Sequence, residues 1–257
     1  MNFLSLIRVE FCKIRRSKIL LILTAAAFIL WLPAVLNADL NFEMQAEGIS
    51  PENNFLIQGF MGMAWFLFPA GVAVSTVMLN MTERSSGGIL KMLSLPVAAA
   101  KLCLAKYAVL LALAAFQILL HTGMYFISAG IASRMQAYPF MLPPLFVFRE
   151  AGLIFASAIP MTAVFWLLSV WIRTPVFSVG IGLASIVPSV LIINTKLWFV
   201  YPMAYPFFVI TAEYGKLAEN LTAAQIEPIP WIPAACGITV FCLAASCLCF
   251  GQEGRSL

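Results

Sequence analysis

Six long apolar runs divide this chain, and runs of that length have few destinations. A helix takes about 20 apolar residues to cross a bilayer core, and Ile19–Leu36, Phe55–Met81, Tyr107–Ile131, Ala151–Ile172, Val176–Ile193 and Trp231–Phe250 are of that order. Hydrophobic residues make up 62% of the 257 and charged ones 10%, whereas a soluble domain carries roughly 45–50% and 25%. The expected fold is an all-α membrane protein of six transmembrane helices, one transmembrane domain over residues 1–257. A secretory signal peptide is the competing reading of the first run, but Leu36-Asn37-Ala38 is a poor cleavage site. Pro33, Pro69, Pro160 and Pro188 fall within four of the runs, which membrane helices tolerate when neighbours satisfy the freed carbonyls. About half the chain is left for ends and loops, too little for a separate soluble catalytic domain. No G-x-x-x-x-G-K-[ST] phosphate loop occurs. No cofactor is therefore expected in this chain, and ATP and Mg chemistry would have to sit on a partner.

The net charge of +4 invites a nucleic-acid reading, but in so apolar a chain Lys and Arg serve topology, and no nucleic-acid partner is expected. Cytoplasmic loops retain positive charge. With the N-terminus inside, the inner segments carry eleven basic residues: five before the first run, then Arg84, Lys91, Lys101, Lys106, Arg173 and Arg255. The outer segments carry Arg134, Arg149, Lys196 and Lys216, so both termini are expected in the cytoplasm. Acids show the opposite bias. Eight of eleven lie outside, and the first outer loop holds Asp39, Glu43, Glu47 and Glu52 with no basic residue. Acids contribute little to orientation, so this surplus either attracts cationic amphipathic molecules or merely keeps a loop soluble.

Three segments outside the runs carry information. In residues 1–18, a helical projection puts Phe3, Leu4, Ile7, Phe11 and Ile14 on one side and Arg8, Lys13, Arg15 and Arg16 on the other, with Glu10 at the margin of the apolar side. That suits an amphipathic helix on the inner leaflet, held by membrane lipids; a simple basic topogenic tail is the alternative. In residues 82–106, Gly87 and Gly88 precede Ile89, Leu90, Met92, Leu93 and Leu95, and Pro96 ends the run. So short a helix is marginal alone and too apolar for a bare loop, so a partner or the membrane must cover it. In residues 194–230, Trp198, Tyr201, Tyr205 and Tyr214 among four prolines suggest interfacial anchoring around a broken or re-entrant outer segment.

Chemistry-bearing residues are scarce. With one histidine, no C-x-x-C and none of the six cysteines in an expected outer loop, neither a metal site nor a disulfide framework is expected. His121 follows Gln117 by four residues on one face of the third run. The pair either lines a translocation path or is a neutral histidine hydrogen-bonded to a neighbouring helix. Ser178, Gly182, Ser185 and Ser189 form a small-residue stripe in the fifth run, suited to a dimer contact or to packing within the chain.

The basic run Lys13-Ile14-Arg15-Arg16-Ser17-Lys18 after Glu10, together with Glu83-Arg84-Ser85-Ser86-Gly87-Gly88-Ile89-Leu90-Lys91-Met92-Leu93-Ser94-Leu95-Pro96 leading to Lys101 and Lys106, resembles the type-2 ABC transporter permeases. Within them, the chain looks most similar to subunits that protect bacteria against lantibiotics and other peptide antibiotics. The resemblance implies a multi-pass protein of the bacterial plasma membrane, paired with a second permease, identical or homologous. It also implies an interfacial elbow helix at Asn2–Arg16 (Phe3, Ile7, Phe11, Ile14, Arg15 and Arg16). A coupling helix at about Gly88–Leu95 would dock on a cytoplasmic ATP-binding subunit, with Glu83 and Gly87 at its entry. Gly87-Gly88 departs from the single glycine and small polar residue of many relatives.

Three function classes are weighed. A permease subunit moves an amphipathic or hydrophobic substrate, such as a peptide antibiotic, on a partner's ATP hydrolysis, and is not itself an enzyme. A membrane sensor or scaffold would use the same docking helix to recruit a cytoplasmic partner. An intramembrane enzyme needs converging nucleophile, base or metal groups, and one histidine with no G-x-S-x-G offers little of that.

Overall fold

Lipid offers no hydrogen bonds, so a chain that crosses it must close its own backbone, and each apolar run is helical in the computed structural model. The structure describes residues 2–14, 17–84, 97–172, 174–218 and 228–252. In chain order the helices are α1 (Phe3–Ile14), α2 (Ile19–Leu36), α3 (Pro51–Gly62), α4 (Phe68–Arg84), α5 (Ala99–Gln136), α6 (Pro144–Ser157), α7 (Ile159–Trp171), α8 (Pro175–Ala184), the single turn α9 (Ser189–Ile192), α10 (Tyr205–Leu217) and α11 (Pro228–Gln252). Among the described residues, five helical spans are long and apolar enough to cross a membrane, and six if α6 and α7 count as one.

The prolines act more variously than their positions suggest. Pro33 stays inside an unbroken α2. Pro69 lies in the first turn of α4, just after a π-helical turn at Met63–Leu67 that joins α3 to α4. Pro160 starts α7, and the span breaks before it with a 41° bend. Pro188 precedes α9 after a turn. A ring without an N–H suits a first helical turn and breaks a helix elsewhere.

Two expected boundaries are corrected. The fourth span begins at Pro144, so Arg149 and Glu150 lie in α6 rather than in an outer loop. The inner loop expected over 82–106 is shorter, because α4 runs to Arg84 and α5 begins at Ala99, placing Lys101 and Lys106 in helix. The segment expected as the first outer loop winds as a 3₁₀ helix over Ala38–Glu47. At 38 residues α5 is about 57 Å long, well beyond the 30 Å core of a bilayer, so it projects past the hydrocarbon.

Helix ends gather at two faces. At one, Tyr138 donates to Glu52 (2.6 Å) and Phe42 meets Tyr138 edge-on, joining the 3₁₀ segment to α3 and the end of α5. At the other, Asn80 donates to Ser169 (2.7 Å), tying α4 to α7, and Gly251 near the end of α11 lies against Ala99 at the start of α5. Between them an aromatic knot of Trp31, Phe55, Phe60 and Tyr125 joins α2, α3 and α5.

Candidate functional site

The described residues resolve the expected elbow helix, α1, in side-chain detail. Leu6, Glu10 and Ile14, one helical turn apart, are buried against α5. Glu10 Oε2 accepts from Lys106 Nζ at 3.0 Å, and Oε1 from Lys13 Nζ at 2.6 Å. Lys106 is fully buried and Glu10 only 3% exposed. Burial alone would raise the Glu10 carboxyl; the Lys106 ammonium, and then Lys13, outweigh it and hold the carboxyl below its usual range.

The expected elbow face is thereby split. Ile14 packs inside the protein, Ile7 is half-buried, and Phe3, Leu4 and Phe11 remain exposed. Sequence reasoning missed the Glu10–Lys106 pair, although an acid on the apolar side of an amphipathic helix was its signal. Arg15 and Arg16 lie outside the described residues. So do Gly87, Gly88, Ile89, Leu90, Met92, Leu93 and Leu95 of the expected coupling helix; Glu83 is placed by backbone only, in the last turn of α4.

Halfway along α5, Gln117, His121 and Tyr125 form one buried stripe. The π turn pairs the Phe68 N–H with the Met63 carbonyl, and this wider register offers the Leu67 carbonyl to Gln117 Nε2 at 2.9 Å. Gly71 is required for this contact, since a Cβ there would sit 2.6 Å from Gln117 Oε1. Neither ring nitrogen of His121 has a hydrogen-bond partner among the described residues. Gln117 and His121 thus lie within packed protein in this conformation, with the imidazole making no hydrogen bond to a neighbouring helix among the described residues. Gln117→Leu is expected to destabilise the protein by about 1 kcal/mol, read as a lower thermal midpoint in detergent. Gly71→Ala, which displaces the same amide, should cost at least as much.

Among the described residues the small-residue stripe packs inside the chain. Ser178 and Ser189 are buried. A Cβ on Gly182 would lie 3.2 Å from that of Ala73 on α4, and Ser185 is half-buried, with its carbonyl accepting from Tyr201. Small side chains let α8 approach α4 and α7 closely.

At the opposite end the acids divide by surroundings. Asp39 and Glu43 are exposed, while Glu52 is half-buried and bonded to Tyr138. Glu47 is placed by its backbone only. Glu150 is fully buried beside Arg149 (3.5 Å), and Glu213 pairs with Lys216 at 2.9 Å. The segment expected as a broken or re-entrant outer stretch winds through 3₁₀ turns at Trp198–Val200 and Pro202–Ala204 into α10, which packs on α6, α3 and the π turn. Trp198 stacks on its Phe208 at 3.8 Å.

No curated protein and no solved structure gives a match to this sequence. The family model described as ABC-2 family transporter protein matches residues 6–189, from α1 to the start of α9. With most of the chain covered and five or six apolar spans, the chain belongs to the ABC-2 family and is a membrane permease subunit of an ABC transporter.

Proposed function

We propose that this permease expels an amphipathic or hydrophobic substrate, a peptide antibiotic, from the bacterial plasma membrane and so confers immunity on the cell that carries it. ATP is hydrolysed on a separate cytoplasmic subunit, because these 257 residues carry no phosphate-binding loop. A second permease, identical or homologous, completes the path. Both termini lie in the cytoplasm, α1 serves as the elbow helix, and Gly88–Leu95 serves as the coupling helix on the ATP-binding subunit.

The observation that carries the substrate class is the charge of the first outer segment. Asp39 and Glu43 stand exposed with no Lys or Arg between Asn37 and Asn54, which favours the approach of cationic amphipathic molecules over the 8–10 Å that physiological salt allows.

The test begins at the motor. Leu90→Asp or Leu93→Asp places a charge in the proposed docking contact, at a cost of several kcal/mol if that contact is buried. Protein level in the membrane should be unchanged while the ATP-binding subunit no longer copurifies. Normal copurification would put the contact elsewhere.

A further inference from the structure

The end of the bundle that carries the 3₁₀ segment contains a cavity of about 420 Å³ between α2, that segment and α3. Its apolar walls are Pro33, Ala34, Leu40, Met44 and Phe55; its polar lining is Asn37, Asn41, Asn54, Gln58 and Glu43. The carboxamides form a directed relay. Gln58 donates to Asn54 Oδ1 (3.4 Å), Asn54 to Asn41 Oδ1 (2.9 Å) and Asn41 to the Ala38 carbonyl (2.9 Å), while Asn37 donates to the Pro33 carbonyl (3.1 Å).

Asn41 and Asn54 are more than nine-tenths buried, so the polar wall is built into the fold. What the relay leaves over is acceptor capacity. The side-chain oxygens of Asn37 and Gln58 accept nothing from the described residues, and Glu43 forms no ion pair among them. Three acceptors beside apolar walls suit a group with three donors on an apolar stem, which describes an ammonium better than a planar or anionic group. The volume lies within the range of small-ligand pockets, about 300–1,000 Å³. It accommodates a lysine-sized side chain with its flanking backbone and excludes a folded peptide.

We infer that this cavity binds a primary ammonium group borne on an amphipathic body, with Glu43 as its counter-charge. The inference deepens the proposed function and rests on the outward placement of this end. The ammonium has two sources, a lysine-bearing peptide or an aminophospholipid headgroup, and the experiment separates them.

The full chain in phosphatidylcholine nanodiscs is titrated with a fluorescent amphipathic Leu/Lys peptide and with its Gln-for-Lys twin, and binding to empty discs is subtracted. The lysine peptide should bind about tenfold more tightly than the twin, as one charge-assisted bond allows. Glu43→Gln and Asn37→Trp, the latter filling the mouth from an exposed position, should each remove that preference. Asp39→Asn, an exposed acid outside the lining, should shift it less than about twofold under screening. Loss of peptide binding when phosphatidylethanolamine is added to the discs would support the site with the lipid as its occupant. Equal binding of both peptides, or equal weakening by the Asp39 and Glu43 variants, would overturn it. Neither failure touches the permease reading, which copurification of the ATP-binding subunit tests independently.

Discussion

Lys106→Met is expected to lower the stability of the purified protein by about 3 kcal/mol, in the range for breaking one side of a buried ion pair, and to release α1 from α5. Methionine keeps the length and apolar stem of lysine but leaves the Glu10 carboxylate buried with Lys13 as its remaining partner in the α1 cluster. The double variant Glu10→Gln/Lys106→Met should recover most of the loss, because the Glu10 carboxylate is then no longer buried without the Lys106 ammonium. Hydrogen exchange across Phe3–Ile14 separates the two effects: fast in the single variant, near parental in the double. Parental protection in Lys106→Met would show that apolar packing of Leu6 and Ile14 suffices.

Acid should act on the same contact. The Glu10 carboxyl is held below its ordinary value of 4.5, so folding binds fewer protons there than unfolding does. The stabilisation is complete above that value and is lost as pH falls through the lowered one. Release of α1 on acidification should be present in the parent and absent from Glu10→Gln.

Trp31→Ala is expected to cost about 3 kcal/mol as well. Lipid tails are as apolar as the protein interior, so little is gained or lost by transferring the side chain; the cost is the void. A residual cavity on the order of 100 Å³ at roughly 24 cal/mol per Å³ comes to about 2–3 kcal/mol, and the lost ring contacts to Phe55, Phe60 and Tyr125 add about 0.5–1.5 kcal/mol. Gly59 makes the experiment specific. A Cβ there would lie 2.6 Å from Trp31 Cζ3, and a buried indole cannot give way. Gly59→Ala should therefore destabilise the parent by about 1–3 kcal/mol and be nearly neutral in Trp31→Ala. Additive losses in a thermal-unfolding cycle would show that the ring and the glycine do not meet.

The sequence by itself determined the all-helical class and the order of the apolar spans, because lipid forces length and apolarity onto each crossing helix. Ile19–Leu36 was legible to the residue, since nothing but hydrocarbon length sets its limits. It also determined that α1 would be amphipathic, through the 3.6-residue spacing of Phe3, Ile7, Phe11 and Ile14. The tertiary structure decided everything that depends on a partner helix. Which lysine meets Glu10, 96 positions away, is not a periodic property. The same holds for Gln117, whose acceptor is the Leu67 carbonyl 50 positions away, and for Gly59 and Gly71, whose missing Cβ atoms matter only against Trp31 and Gln117. Glu150 and Lys106 looked like loop charges because charge is expensive inside a membrane; both are instead buried in helices, and the fold brings Glu10 to Lys106 as its counter-charge. The cavity beside Glu43 is likewise a product of three elements meeting, and four carboxamides scattered from Asn37 to Gln58 gave no sign in the sequence that they would share one wall.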